Sequence, residues 1–332
     1  MIKVLSYYIK NQLNAGPKAK YDVEDILVQQ FGAKKICIEE KKGKKNKIIA
    51  YVKIIITMLM IKKDDIVIVQ FPFPRKIIKF FKKLNIIIFI HDINGLRYKD
   101  SKLIKKEIDA FQSSEAVIVH NDKMKKFLID QGVNSNKLYV LELFDYITAK
   151  QKQNNIKSDK IKICYTGNMD KANFIHQLEE EKMNFNLYVY GVKNKEIKNK
   201  RIEYKGKFLP DELPYKIEEN IGLVWDGNVD ENDENEGFKN YTKYNNPHKL
   251  SCYLAANIPV IVWEKAAIAD LVKKYNIGYF IRNIYDINKI DFSDYNEKIK
   301  NIKELSRKVR NGYFTNRVVN EIIKDISGDE TK

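Results

Sequence analysis

Cysteine is rare in this chain. Cys37, Cys164 and Cys252 are odd in number, far apart and without Cys-x-x-Cys spacing, so neither a disulfide framework nor a zinc site is supported and a reducing cytoplasm fits. Long apolar runs are missing too. The best candidates, residues 54–61 and 84–90, fall well short of the roughly 20 residues a membrane-crossing helix needs. Residues 1–8 read as a first strand and run into Asn11, Asn14 and Gly16 rather than a small-residue cleavage site, so no secretory leader is expected. Nor is there a Gly-x-Gly-x-x-Gly fingerprint, a P-loop, an internal repeat or a low-complexity tract. No Asp-x-Asp metal motif stands well placed near a strand end, which argues against a metal-dependent nucleotide-sugar enzyme of the single-domain kind. The acidic loop from Asp226 spaces Asp226, Asn228 and Asp230 like a calcium loop. It then has Glu231 where the sharp-turn glycine belongs and Gly237 where the bidentate glutamate belongs, so it reads as a solvated loop.

Positive charge, by contrast, is plentiful: 60 Lys and Arg against 44 Asp and Glu give +16. Such an excess suits nucleic acid, an anionic membrane face or an acidic substrate. Much of it is lysine spread along an Ile-, Asn- and Lys-rich sequence, so charge alone selects none of them. The aromatics are not interleaved with basic residues in a recognised nucleic-acid-binding motif, and nucleic acid is not the expected partner. With 332 residues, 44% of them hydrophobic, the chain is long enough for two domains, each with its own core.

The order of signals specifies their type. Strand-like runs at residues 3–8, 35–38, 66–70, 86–90, 116–120 and 138–141 alternate with helical periodicity at 21–31, up to 61, 75–83, 102–112 and 121–130, with a turn at 14–20. Residues 148–160 are polar and read as an interdomain linker. Alternation restarts with strands at 162–165, 186–190, 202–205, 221–225 and 259–263, and the chain closes with helical sequence from 295 to about 326. The expected fold is α/β, two successive doubly wound domains with parallel sheets.

The richest stretch is Tyr244-Asn-Asn-Pro-His-Lys-Leu-Ser-Cys-Tyr-Leu-Ala-Ala-Asn-Ile-Pro-Val-Ile-Val-Trp263. Pro247 can open a helix, Leu250, Tyr253 and Leu254 can bury one face, and Asn257 and Pro259 end it before a buried strand. Its start gathers Tyr244, Asn245, Asn246, His248 and Lys249 around free N–H groups and the positive dipole end, which suits a phosphate-bearing ligand. The competing reading is an ordinary capped helix. The loop Thr166-Gly-Asn-Met-Asp-Lys171 joins a strand to a helix. There Gly167 and Asn168 would let the backbone approach a ligand and Lys171 would neutralise phosphate, unless it is a plain βα turn. Gly16 with Pro17 and Lys18 poses the same choice in the first half, where a turn is favoured. His91 and Asp92 end a buried strand, where ligands of open α/β sheets bind, and are candidates for acid or base chemistry. Arg97 can pair with Asp92 and make it structural. His120, also at a strand end, has less support, and His176 is read as packing within a helix.

Together with His91-Asp-Ile-Asn-Gly-Leu-Arg97, Tyr165-Thr-Gly-Asn-Met-Asp-Lys-Ala172, Gly206-Lys-Phe-Leu-Pro-Asp-Glu-Leu-Pro214 and Ala256-Asn-Ile-Pro-Val-Ile261, that stretch resembles a bacterial glycosyltransferase family nearly end to end. The family includes the glucosyltransferases that extend glycans on streptococcal serine-rich adhesins and the β-1,6-galactofuranosyltransferases of surface polysaccharide synthesis. The resemblance implies a GT-B fold: an acceptor-side Rossmann-like domain at 1–150, a sugar-nucleotide domain at 160–312 facing it across a cleft, and a last helix, 313–332, crossing back onto the first. It implies metal-independent, inverting transfer of a hexose from UDP-glucose or UDP-galactofuranose to a hydroxyl of a glycan carried by a glycoprotein or a lipid, with no cofactor beyond that co-substrate. Lys171 takes the diphosphate, where several relatives carry arginine. Asn245, Asn246 and Lys249 meet the donor, Tyr204 lies by the nucleotide and Gly16 lines the cleft. Asp92 is the first candidate for the general base and His91 the second. A cytoplasmic protein is expected, with association at the inner membrane face and self-association left open. The rival readings are a non-catalytic GT-B-like partner of another transferase and a basic nucleic-acid-binding protein.

Overall fold

Continuous β-branched runs such as Ile-Val-Ile-Val and Ile-Ile-Ile leave no polar face, so they form strands covered on both sides, the condition of a parallel sheet. In the computed structural model, which describes residues 1–9, 16–41, 43–148, 161–229 and 237–328, they build two six-stranded sheets. The chain divides into two units, Met1–Glu142 with Gly312–Lys332, and Leu143–Asn311.

The first unit runs β1 (Ile2–Ile9), α1 (Gly16–Phe31), β2 (Lys34–Glu40), α2 (Lys44–Leu59), β3 (Ile66–Phe71), α3 (Arg75–Phe80), β4 (Asn85–Ile90), α4 (Asn94–Arg97), α5 (Ser101–Gln112), β5 (Ala116–Val119), α6 (Asp122–Asp130) and β6 (Leu138–Val140). All strands are parallel in the order β2-β1-β3-β4-β5-β6, which reverses between β1 and β3. The turn expected over residues 14–20 is already helix from Gly16. Proline is tolerated in a first helical turn because its missing N–H would have had no partner there. Residues 10–15, which include most of the expected loop before Gly16, lie outside the described residues.

The second unit runs β7 (Ile163–Asn168), α7 (Asn173–Gln177), β8 (Leu187–Val192), β9 (Ile202–Gly206), α8 (Leu213–Lys216), β10 (Ile221–Val224), α9 (Gly237–Thr242), α10 (His248–Ala255), β11 (Val260–Trp263), α11 (Ile268–Tyr275), β12 (Gly278–Ile281) and α12 (Tyr295–Arg310). Its order, β12-β11-β10-β7-β8-β9, reverses between β10 and β7. The expected linker lies, from residue 149 to 160, outside the described residues. Residues 143–148 before it belong to this unit: Phe144 O accepts from Ser251 Oγ at 2.7 Å, Tyr146 N donates to Val309 O at 2.9 Å and Tyr146 Oη to Pro210 O at 2.7 Å.

The helical sequence expected over 295–326 is broken at Gly312, and α13 (Tyr313–Ser327) belongs to the first unit. Gly312 has φ 72°, and a Cβ there would meet Ile26 Cγ1 of α1 at 2.7 Å, so both backbone and space demand glycine. Beyond it α13 buries Phe314, Val318, Val319 and Ile322, and Arg317 Nη2 donates to Val140 O (2.9 Å) and Leu141 O (3.0 Å).

Candidate active site

In an open α/β sheet the crevice lies beyond the carboxyl ends of the strands where their order reverses. In the second unit β10 and β7 pair only through Ile221–Ile163 and Gly222–Cys164. Past those pairs α10 bridges them: Tyr253 Oη accepts from Thr166 N at 2.8 Å and donates to Leu223 O at 3.1 Å. Gly222 makes this possible, because a Cβ there would fall 2.3 Å from the Tyr253 ring.

One turn earlier on the same face of α10 stands Lys249. Its ammonium lies 4.4 Å from the Tyr165 ring centroid and donates to Tyr165 Oη (3.1 Å), Trp225 O (3.1 Å) and Asp226 Oδ1 (2.8 Å). Burial pulls its pKa down, yet the Asp226 charge and Tyr165 outweigh that, and the lysine stands above its ordinary value. Burial also raises the Tyr165 phenol, against the pull of Lys249. Three acceptors use three N–H donors, so Lys249 is a fixed, largely buried cation whose partner, Asp226, is half-buried.

The rest of the candidate donor set gathers around the same strand ends. Gly167 and Asn168 close β7, and Asn168 Oδ1 accepts from Asp170 N at 2.9 Å. In the turn that follows, Lys171 is exposed, its ammonium engaged by no hydrogen bond or ion pair among the described residues. Gly191 of β8 pairs with Gly167, and Tyr204 Oη donates to Gly191 O at 2.9 Å, so Tyr204 joins the rim from β9 with Lys193 over its ring. Pro247 is the N-cap of α10 rather than its first helical residue and offers no side-chain cap. Before it come Tyr244, buried Asn246, and Asn245, whose buried Oδ1 has no partner among the described residues. His248 instead stacks on Tyr146 at 4.8 Å.

In the first unit, His91 and Asp92 directly follow β4. Gln70 at the end of β3 is fully buried, and its Nε2 donates to Ser6 Oγ (2.8 Å), Lys20 O (3.1 Å) and Glu24 Oε1 (3.2 Å). Lys20 O and the Glu24 carboxylate accept only, which fixes the amide and turns its Oε1 to His91 Nε2 at 2.7 Å. Nε2 therefore carries the proton in the neutral ring. Asp92 Oδ2 accepts from Arg97 Nη1 at 3.0 Å, the pairing that a structural carboxylate would show. Burial lowers Lys20, opposed by the charges of Asp92 and Glu24. Burial lifts the Glu107 carboxyl to about 7, although it accepts from Gly95 N at 2.8 Å. His120 is buried, donates to Ile90 O at 3.1 Å and is lowered by burial to about 4, while His176, expected to pack, is exposed on α7. Of Gly16 the structure gives only its place at the start of α1.

Three residues of the second-unit site escaped the sequence reading: Asp226, assigned to a solvated loop, Tyr165, read as strand, and the Tyr253 hydroxyl, read as part of an apolar face. The spacing of Lys249 and Tyr253 by four, aimed at the ends of two adjacent strands, is the signal that could have found them. Among the described residues no group of three His, Cys, Asp or Glu side chains is arranged to hold a metal ion.

Two doubly wound parallel sheets in succession, with the last helix returned to the first unit, place the chain in the GT-B class of glycosyltransferases. The family description "Glucosyltransferase 3-like, N-terminal domain" matches residues 2–143, and "Glucosyltransferase 3-like, C-terminal domain" matches residues 163–322. The protein belongs to the glucosyltransferase 3-like family of glycosyltransferases. It is 30% identical to the β-1,6-galactofuranosyltransferase WbbI of Escherichia coli (strain K12), over 96% of this chain and 99% of that protein. It is 28% identical to Glucosyltransferase 3 of Streptococcus parasanguinis, over 79% and 80%. In fold it matches Anabaena HepE, crystallised with UDP and glucose, with a TM-score of 0.67 over 99% of this chain and 100% of that one, at 9% identity.

Proposed function

We propose that the protein transfers a hexose from UDP-glucose or UDP-galactofuranose to a hydroxyl of a glycan acceptor, on a glycoprotein or a lipid carrier at the membrane face, without a metal and with inversion. The observation that carries this reading is the crevice between β7 and β10, where the Gly167–Asn168 strand end, Lys171 and the start of α10, which has no side-chain cap, converge around the part-buried Lys249–Asp226 pair. The acceptor oxygen attacks the anomeric carbon as the bond to the diphosphate breaks, and negative charge grows on the leaving group. Help is needed there, and N–H groups with a positive dipole and nearby cations supply it.

In this scheme Lys171 meets the diphosphate directly. Lys249 acts from behind, holding Asp226 and Tyr165 in place and adding charge across a buried path. His91 receives the acceptor proton, because its ring is oriented by Gln70, whereas the Asp92 carboxylate is engaged by Arg97. The order expected between these two residues is thus reversed in the proposal.

Purified protein supplied with each UDP-sugar and a glycan acceptor should release UDP. Lys171→Ala should lower kcat/KM by roughly tenfold or more, and His91→Gln should lower kcat at unchanged donor affinity. Wild-type turnover in Lys171→Ala removes that residue from the diphosphate, and wild-type turnover in His91→Gln returns the base to Asp92.

A further inference from the structure

Helix α2 is apolar almost all round, yet only a narrow stripe of it, Ala50, Ile54 and Met58, is buried. On the open side Ile48, Ile49, Val52, Ile55, Ile56 and Leu59 are exposed, Ile48 by 65% and Leu59 by 67%, and Met60 at the C-cap by 76%. At 100° per residue these six fall within an arc of about 120°, a second apolar face as wide as the one a globular helix normally buries. An uncovered face of that width marks a surface that is covered in use.

Charge identifies the cover. Residues 41–63 hold eight lysines and no acidic residue. Lys44, Lys45 and Lys47 crowd the first turn, where the helix dipole is itself positive and carboxylates would be stabilising. Lys53 borders the apolar arc, and Lys62 and Lys63 follow its far end; all are exposed. Such an arrangement costs the isolated protein stability and is relieved against a surface that is both negative and apolar just beneath. A second copy of the chain fits poorly, since a twofold contact through this face would set one lysine cluster against the other. No helix among the described residues is long and apolar enough to cross a membrane, so the geometry is that of a helix lying in the interface.

We propose that the outer face of α2 docks the protein on an anionic lipid bilayer, with its isoleucines and Leu59 inserted among the acyl chains and its lysines at the headgroups. The inference bears on the proposed function by bringing the enzyme to acceptors at the membrane face, but vesicle binding is read without any sugar nucleotide, so each stands or falls separately.

Full-length protein is sedimented with vesicles of phosphatidylcholine alone and of phosphatidylcholine with an equal part of phosphatidylglycerol. It should bind the second far better than the first, and less as salt rises. Ile56→Glu with Leu59→Glu should weaken binding by about tenfold or more while the melting temperature and UDP binding stay at wild-type values. Lys44→Glu, Lys45→Glu and Lys53→Glu together should abolish the preference for phosphatidylglycerol. Equal recovery of the wild type from both vesicle types overturns the proposal. So does equal recovery of wild type and the double variant on phosphatidylglycerol, or a wild-type dimer in light scattering that the double variant dissolves, which would give this face to a second copy.

Discussion

His120 is fully buried with one hydrogen bond, to Ile90 O, and its pKa falls to about 4 from the ordinary 6.5 because the charged ring would lose its hydration. The folded state thus binds fewer protons than the unfolded chain between those values. The stability His120 allows is complete above pH 6.5 and is lost as pH falls toward 4, by about 3 kcal/mol over that window. Glu107 runs the other way: its carboxyl, raised from 4.5 to about 7, makes the folded state bind more protons, so stability declines as pH rises between them. Comparing urea unfolding of wild type and His120→Gln at pH 7 and pH 4 separates the two. The wild type should lose about 3 kcal/mol more than the variant; parallel losses would mean that water reaches the ring. Sequence placed His91, Asp92 and His120 at strand ends, with less support for His120, and offered Arg97 as a partner for Asp92. What separates the two histidines is non-local: Gln70, twenty-one residues earlier, orients His91, and burial silences His120.

The strand ends at β7 and β8 touch. A Cβ on Gly191, at φ 132°, would stand 1.9 Å from Gly167 O, so neither backbone nor space admits another residue. Gly191→Ala should therefore force the two strands apart, destabilise the second unit by about 2 kcal/mol or more, and weaken UDP binding beyond what the lost stability explains. A thermal melt paired with UDP titration checks both, and wild-type affinity in a folded variant would remove this strand pair from the donor site. The long elements were readable because apolar runs and helical periodicity are local properties. Helix α11 and strand β12 were not read: they are eight and four residues long, separated by Asn276 in the left-handed conformation, and β12 owes its place to pairing with β11. The Tyr253 bridge and the saturation of Lys249 were equally invisible, since both depend on which strands lie side by side. The helix start at α10 was legible, apart from the shift of Pro247 to the cap position, because proline and the polar residues around it act within one turn.

The chain forms two Rossmann-like units and its last helix belongs with the first; in the proposed function the working parts divide between them, the donor crevice at β7 and β10 in the second and the oriented His91 after β4 in the first. The central claim is that the crevice holds a uridine diphosphate through lysine charge and N–H donors, with no metal. Calorimetric titration of the full-length protein with UDP, UDP-glucose and UDP-galactofuranose, each with and without EDTA and accompanied by a thermal melt, tests it most directly, because a ligand that binds the folded state raises its melting temperature. The account predicts saturable UDP binding that EDTA leaves unchanged, with one of the two sugar nucleotides preferred. Binding that EDTA abolishes, or no heat and no shift with any uridine nucleotide, would contradict it.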